Sequence, residues 1–305
     1  MMKVKVFRVL IIGLGDIAMG YDYGRDDVTW THIGALLKNN NFEIIGGVDP
    51  VIATHAKFYT LTYAPVYADI DEFLLVNKQP VDLVVICSPT KYHLYHYKRI
   101  KSLQPKLVLM EKPLVAIDDE LESLMAEISS GPRVMVNLFR LYQSQINCVL
   151  QELANSGPCR ITIRYSKSIE HNGIHFMTLL LRHFGPCLKQ ECISISNEVA
   201  HSFTFSQADV LMLPAFKDVD DNSMVLQSNM GTTYYLNGGR IFFQVDQQHN
   251  RQDFDLDEFK HHMAKVYEQC LNVIQGKDDD SLALAHSGHK LLMKGAHYHE
   301  KLYAL

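Results

Sequence analysis

The chain has 305 residues, of which 47% are hydrophobic and 21% charged, and its formal net charge is -5. These proportions are typical of a globular protein with one or two domains and a sizeable core. The acidic balance, without a basic stripe, argues against nucleic acid as a partner. No apolar stretch approaches the roughly eighteen residues needed to span a bilayer, so we expect no membrane association.

The six cysteines are scattered and lack the C-x-x-C spacing of zinc or redox motifs. Such cysteines are typical of reduced thiols in a reducing compartment. Met1 is followed almost directly by a strand-like segment, with no pattern of a secretory signal. We therefore expect a cytoplasmic protein.

The first predicted strand, residues 4–12, is rich in β-branched and apolar residues, as in a parallel strand buried on both faces. It leads into a glycine loop of the form G-x-G-x-x-A. Gly13 allows the tight turn, and Gly15 lets the backbone approach a pyrophosphate. Ala18 replaces the usual third glycine. The amides of the helix that follows favour phosphate, so the segment predicts a dinucleotide site.

The second predicted strand, residues 42–48, ends at Asp49. A carboxylate there can accept hydrogen bonds from both ribose hydroxyls and would repel a 2'-phosphate, which favours NAD over NADP. The alternative is that Asp49 only begins a turn with Pro50. A polar insertion at residues 20–27 lengthens the distance from the glycine loop to Asp49 and is placed to cover the cofactor.

The tripeptide E-K-P at residues 111–113 follows a fourth predicted strand, residues 107–110. In an open α/β sheet, ligands bind at this carboxyl end of the strands. A lysine partly desolvated beside a cationic nicotinamide has a lowered pKa, so Lys112 is suited to acid-base work on an alcohol or ketone. The alternative is an ordinary surface lysine in a loop.

The motifs, taken in chain order, resemble the Gfo/Idh/MocA family of oxidoreductases. They are the glycine loop, Asp49, S-P-T at residues 88–90 with His93, E-K-P at 111–113, and H-N-G-I-H at 171–175. In that family a Rossmann domain precedes an α/β domain, E-K-P carries a catalytic lysine, and D-x-G-x-H carries a catalytic histidine. Segments around residues 20–32 and 165–173 further resemble members that accompany bacterial surface-polysaccharide synthesis.

The resemblance implies Lys112 and His175 as catalytic residues. The candidate cofactor-binding residues are Gly13, Gly15, Asp16, Ile17, Asp49, Ser88, Pro89, Thr90, His93 and Glu111. The candidate substrate contacts are Lys167, His171 and Asn172.

The chain departs from the family pattern at two positions: His171 stands where the motif has aspartate, and Thr178 where aspartate is frequent. Helix positions four apart share a face, so His171 and His175 could lie together over the substrate. Without the carboxylate, His175 loses a partner that would raise its pKa and fix its tautomer, and Lys112 then bears more of the proton transfer. The pair could instead bind a metal or serve packing, but no further ligand motif completes a metal site, so we expect none.

A turn signal at residues 131–133 marks the predicted domain boundary. We predict an α/β protein with a doubly wound, parallel Rossmann sheet over residues 1–133. A second α/β domain with a large, mostly antiparallel sheet should span residues 134–305, since strand-like segments fill residues 160–245. A last helix, residues 281–303, can pack back on the first domain.

The predicted function is NAD-dependent oxidation or reduction of a CH-OH group in a sugar, polyol or nucleotide sugar. An NAD-dependent glycosidase of the same family is the alternative within the family. A nucleotide-binding sensor or partner protein without activity is the alternative of another class, suggested by the missing aspartate. One uncovered face on an antiparallel sheet predicts a homodimer or homotetramer.

Overall fold

The computed structural model describes residues 5–195, 198–216 and 222–303. The chain forms two compact units, one of Met1–Phe139 with His261–Leu282 and the other of Arg140–Lys260 with Ala283–Leu305. Among the described helices, none is long and apolar enough to cross a membrane.

The helices, in chain order, are α1 (His32–Leu37), α2 (Ile52–Thr62), α3 (Ile70–Val76), α4 (His93–Ile100), α5 (Asp119–Ser129), α6 (Ser144–Ser156), α7 (Ile174–Phe184), α8 (Asp257–Lys260), α9 (His262–Ile274) and α10 (Ser281–Tyr303). The first unit contains the strands β1 (Phe7–Ile12), β2 (Phe42–Val48), β3 (Val66–Tyr67), β4 (Leu83–Ile86), β5 (Leu107–Met110) and β6 (Val134–Val136). The second contains β7 (Cys159–Tyr165), β8 (Lys189–Ile195), β9 (Glu198–Thr204), β10 (Ala208–Pro214), β11 (Ser223–Ser228), β12 (Thr233–Asn237), β13 (Ile241–Val245) and β14 (Arg251–Asp253).

The first unit is built on a parallel sheet with the strand order β3-β2-β1-β4-β5-β6. Its central strands are apolar because both of their faces are covered, and β4 and β5 are buried along their whole length. The predicted doubly wound parallel sheet is therefore confirmed. The order reverses next to β1, which puts the glycine loop at the switch point where such sheets bind ligands.

The division into units differs in detail from the boundary predicted at residues 133–134. Strand β6 pairs in parallel with β5, so the chain stays in the first sheet until Val136. The segment that returns to the first unit is His261–Leu282, which includes α9. Helix α10 belongs to the second unit from Ala283 onward.

The second unit contains a larger sheet with the order β14-β13-β12-β11-β7-β10-β9-β8. Only β7 and β10 pair in parallel in this sheet, and its other described pairs are antiparallel. Along β7, buried residues such as Ile161 and Ile163 alternate with exposed Arg160 and Thr162. One face of the strand is therefore apolar and covered, as the period of two requires. The predicted mostly antiparallel sheet is confirmed.

The insertion separates the glycine loop from the first α-helix. A five-residue π-helix, Asp16–Gly20, follows the loop, and α1 begins only at His32. Asp22 closes the insertion, since its buried carboxylate accepts hydrogen bonds from the backbone N–H groups of Trp30 (2.8 Å) and Thr31 (3.0 Å) and from the Thr31 hydroxyl (2.6 Å).

Candidate functional site

The glycine loop lies against the segment after β4. Gly13 has φ +94°, in the left-handed region that favours glycine, and a Cβ there would lie 2.6 Å from the carbonyl carbon of Cys87. The Gly13 N–H donates to Val48 O (2.8 Å), and the Cys87 thiol donates to Gly13 O (3.0 Å). Only glycine fits this position without moving the backbone.

Gly15 has the opposite surroundings. A Cβ at Gly15 would meet no protein atom within 4 Å, so the backbone is open on that side. The N–H groups of Asp16 and Ile17 follow at the start of the π-helix, where no preceding turn supplies acceptors. An open glycine beside helix-initiating amides fits the pyrophosphate of a dinucleotide.

Asp49 ties the end of β2 to the glycine loop. It is 8% exposed, and its Oδ2 accepts a hydrogen bond from Leu14 N–H at 2.7 Å. Its Oδ1 accepts from Val51 N–H at 2.8 Å, which is the turn contact considered from the sequence. A carboxylate has about four acceptor positions, so these two bonds leave acceptor capacity for ribose hydroxyls.

The S-P-T segment is held by two histidines. His93 is 1% exposed, with Nε2 3.0 Å from Ser88 O and Nδ1 3.2 Å from Leu114 O. Burial lowers the pKa of His93, so the ring is neutral and its single N–H donates to one of these two carbonyl oxygens. His96, not identified from the sequence, lies 2.8 Å from the Ser88 hydroxyl, and burial lowers the pKa of its ring to about 4. Pro89 and Thr90 open the short 3-10 helix Thr90–Tyr92.

Glu111 and Lys112 stand at the carboxyl end of β5, in the same unit as the glycine loop. The Glu111 carboxylate is buried, and the Lys112 side chain is half-buried. The Lys112 N–H donates to Glu111 Oε2 (3.2 Å), and the Asn137 amide donates to Oε1. His32 Nε2 lies 3.1 Å from the same Oε1. A buried carboxylate is therefore held by several donors directly beside the lysine.

The predicted substrate residues of the second unit lie around the start of α7. Lys167 is exposed with φ +63°, and the π-helix Ile169–Gly173 follows it. The Asn172 amide donates to Ser166 O (3.0 Å) and to the Ser166 hydroxyl oxygen (2.9 Å). The amide nitrogen of Asn172 therefore holds this loop in place.

His171 and His175 do not belong to one continuous α-helix. His171 is half-buried in the π-helix, whereas His175 is 6% exposed near the start of α7. The α-helical spacing assumed from the sequence therefore does not apply across this junction. The Thr178 hydroxyl donates to backbone oxygens of Ile174 (2.9 Å) and His175 (3.2 Å), so this residue supplies neither a carboxylate nor a side-chain bond to the imidazole.

Two buried polar residues of the second unit lacked any sequence motif. Arg140 is 5% exposed, its guanidinium lies 4.8 Å from the Phe176 ring, and burial lowers its pKa to about 10. Gln143 is fully buried, and within the described residues no hydrogen-bond partner reaches its amide. Hydrophobic patterns assign apolar residues to the interior, so they give no sign of a buried polar residue. These two residues could therefore not be predicted from the sequence.

A cavity of about 490 Å³ opens elsewhere in the first unit, at the amino ends of β1 and β2, between residues such as Arg8 and Tyr63. It is at the edge opposite the glycine loop. Across the described parts of the chain, no three histidine, cysteine or acidic residues gather as a metal site would require.

The comparisons with known proteins agree with this fold. A dehydrogenase from Chromobacterium violaceum has a TM-score of 0.78 at 14% identity, over 99% of this chain and 99% of that one. A 3-ketoreductase from Actinomadura kijaniata, solved with TDP-benzene and NADP, has a TM-score of 0.74 at 15% identity, over 94% of this chain and 96% of that one. A structure of a Chromobacterium violaceum dehydrogenase with NADH and UDP-GlcNAcA has a TM-score of 0.70 at 14% identity, over 96% of this chain and 93% of that one.

A search of curated proteins finds no match. Residues 7–138 match the family model described as "Oxidoreductase family, NAD-binding Rossmann fold". These residues cover the glycine loop, Asp49 and the E-K-P tripeptide, which are the features that first suggested the family. Residues 7–138 are therefore similar to the NAD-binding Rossmann unit of the Gfo/Idh/MocA family of oxidoreductases.

Proposed function

We propose that this chain is an NAD-dependent oxidoreductase acting on a CH-OH or ketone group of a sugar, polyol or nucleotide sugar. The observation that carries the proposal is the position of Lys112, half-buried at the carboxyl end of β5 in the unit that carries the glycine loop. The cofactor, when bound, supplies the hydride chemistry. The protein must therefore orient the substrate and move one proton.

Lys112 is the proposed acid-base group. Its amine accepts the hydroxyl proton when an alcohol is oxidised, and its ammonium returns the proton when a ketone is reduced. His175 is the second candidate, and Lys167, His171 and Asn172 are proposed substrate contacts. Two relatives of the same fold were solved with nucleotide ligands, TDP-benzene in one and UDP-GlcNAcA in the other, which makes nucleotide sugars the first class to test.

A screen of sugars, polyols and nucleotide sugars with NAD, followed by the absorbance of the reduced cofactor, tests the function. We expect reduction of NAD in proportion to the substrate consumed. Release of an aglycone without net change in NAD would favour the glycosidase instead. NAD binding without turnover on any member of these classes would favour the sensor.

We propose NAD rather than NADP because Asp49 is buried beside the glycine loop. A 2'-phosphate would place a second negative charge against this carboxylate, and such a like-charge contact costs several kcal/mol. We expect NADH to bind at least about tenfold tighter than NADPH, as measured by fluorescence titration. Asp49→Asn should bring the two affinities closer together.

The matched control removes a carboxylate far from β2. Asp119→Asn, at the exposed start of α5, should leave the ratio of NADH to NADPH affinity unchanged. Equal affinities of the unchanged protein for both cofactors would remove Asp49 from the ribose site.

We also propose a homodimer or homotetramer assembled through the uncovered face of the eight-stranded sheet. Apolar side chains lie on this face, including half-buried Leu211 and Ile241, which is 41% exposed. Sedimentation velocity should give a multiple of the single-chain mass, and Leu211→Lys should shift it toward one chain because a charge would be buried. A single-chain mass for the unchanged protein would contradict the assembly.

We also propose a cytoplasmic location. All six cysteines are free thiols, which supports this proposal.

A further inference from the structure

A buried carboxylate beside the proposed catalytic lysine requires a physical explanation. Glu111 is 7% exposed, and taking an ion out of water costs several kcal/mol unless partners compensate. An apolar side chain would fill the same space at lower cost. Stability alone therefore does not account for an ionisable group at this position.

The partners of Glu111 keep it ionised. Burial by itself would raise the pKa of Glu111, but the hydrogen bond from His32, the charges of His32 and Lys112 and the hydrogen bond from Asn137 lower it below its usual value. The carboxylate is thus negative at neutral pH. Its Oε2 also accepts the backbone N–H of Lys112, so charge and backbone position are fixed together.

Tyr267 is the second hydrogen-bond partner of His32. The His32 ring is fully buried, and its Nδ1 lies 3.0 Å from the Tyr267 hydroxyl on α9. Burial raises the pKa of Tyr267 well above its usual value, so the phenol keeps its proton and can donate it to Nδ1. An ionised carboxylate only accepts, so Nε2 carries a proton and donates to Glu111. Tyr267, His32 and Glu111 therefore form one connected chain of hydrogen bonds.

We infer that His32 and Tyr267 are positioning residues that hold Glu111 as a carboxylate, so that Glu111 favours the ammonium form of Lys112 and fixes its backbone. This inference rests on the proposed function, in which Lys112 transfers the proton. It favours the reducing direction of the reaction, because an ammonium is the form that protonates a ketone during reduction. In metal sites, a carboxylate behind a histidine orients the ring in a similar way.

Other titratable groups near Glu111 are less able to respond to its charge. Glu111 interacts electrostatically with six titratable groups, which are His32, Lys112, Tyr21, Cys87, His93 and Tyr267. Desolvation keeps Tyr21, Cys87 and Tyr267 protonated, because it raises the pKa of each. It lowers the pKa of His93, which stays neutral. Among these groups, Lys112 is the one that the inference concerns.

The test measures the pKa of the Lys112 amine without any substrate. The full-length protein is labelled with acetic anhydride across a pH series, and mass spectrometry compares Lys112 with exposed Lys78 as an internal reference. Glu111→Gln should lower the pKa of Lys112 by about one unit or more, because the neighbouring negative charge is lost. His32→Phe should also lower it, but by less than Glu111→Gln, because Glu111 stays ionised where the lysine titrates and loses only the donor that holds its carboxylate in place.

His32→Gln is the matched variant, since its side-chain amide can still donate to Glu111, and it should keep the pKa of Lys112 near that of the unchanged protein. Tyr267→Phe should give an intermediate decrease, and it serves as the second probe if His32→Phe does not fold. A lower melting temperature with an unchanged pKa of Lys112 in His32→Phe and Tyr267→Phe would overturn the inference and leave only a packing role. Full turnover in Lys112→Met would instead defeat the proposed function, whatever the labelling shows.

Discussion

Replacing Lys112 by methionine is expected to lower turnover by about 100-fold or more, the usual scale for loss of an acid-base group. Methionine keeps an unbranched apolar stem and removes only the ammonium, so packing at the end of β5 should change little. NAD affinity should stay nearly the same, because Lys112 is not among the candidate cofactor-binding residues and the phosphate and ribose candidates lie on the glycine loop and at Asp49. The measurements are steady-state kinetics on a substrate from the screen and a fluorescence titration with NADH.

Two further variants test whether the loss of turnover is specific to Lys112. Lys91→Met removes an exposed lysine from the 3-10 helix after β4 and should leave turnover unchanged. His175→Ala should lower turnover, but by less than Lys112→Met, because His171 replaces the aspartate of the family motif. If Lys112→Met turned over as fast as the unchanged protein, Lys112 would not be the acid-base group. His175 would then be the first candidate for that group, and the alternative of a protein without activity would also be favoured.

The first sheet could be predicted because its signal is local. Strands such as β4 and β5 are continuous apolar runs, and the glycine loop follows β1 without an intervening residue. The second sheet could be predicted for the same reason, since the alternation of β7 and its neighbours is visible within a few residues. A single sequence contains this kind of information.

The partners of Glu111 could not be predicted, because they come from distant parts of the chain. His32 is 79 residues away and Asn137 is 26 residues away in the sequence. Tyr267 is 235 residues from His32 and returns to this unit only because α9 does. Periodicity reports which face of an element is buried, and it does not report which polar group meets which across the core.

The insertion shows an intermediate case. The extra length before Asp49 predicted an insertion near the cofactor site. It did not predict the hydrogen bonds that hold the two ends of the insertion together. Asp22 accepts three hydrogen bonds from Trp30 and Thr31, and these bonds set where α1 begins. Aspartate commonly bonds to nearby backbone N–H groups, so the residue type was suggestive while the specific partner required the fold.

Gly13→Ala is expected to produce the largest loss of stability, and Gly276→Ala supplies its matched control. The two glycines have similar backbone angles, φ +94° and +101°, and both belong to the first unit. At Gly276 a Cβ would meet nothing within 4 Å, whereas at Gly13 it would meet the backbone after β4 at 2.6 Å. The control therefore measures the cost of the backbone angle alone, about 1 kcal/mol.

Gly13→Ala should cost about 3 to 5 kcal/mol in the free energy of unfolding, because backbone atoms must move as well. Trp30 is the single tryptophan and lies in the first unit, so urea unfolding followed by its fluorescence reports on that unit. NADH binding should be lost in Gly13→Ala and kept in Gly276→Ala, since only the first variant displaces the glycine loop. Equal unfolding free energies in the two variants would mean that the loop does not approach the segment after β4 this closely, and the proposed pyrophosphate site would lose its geometric basis.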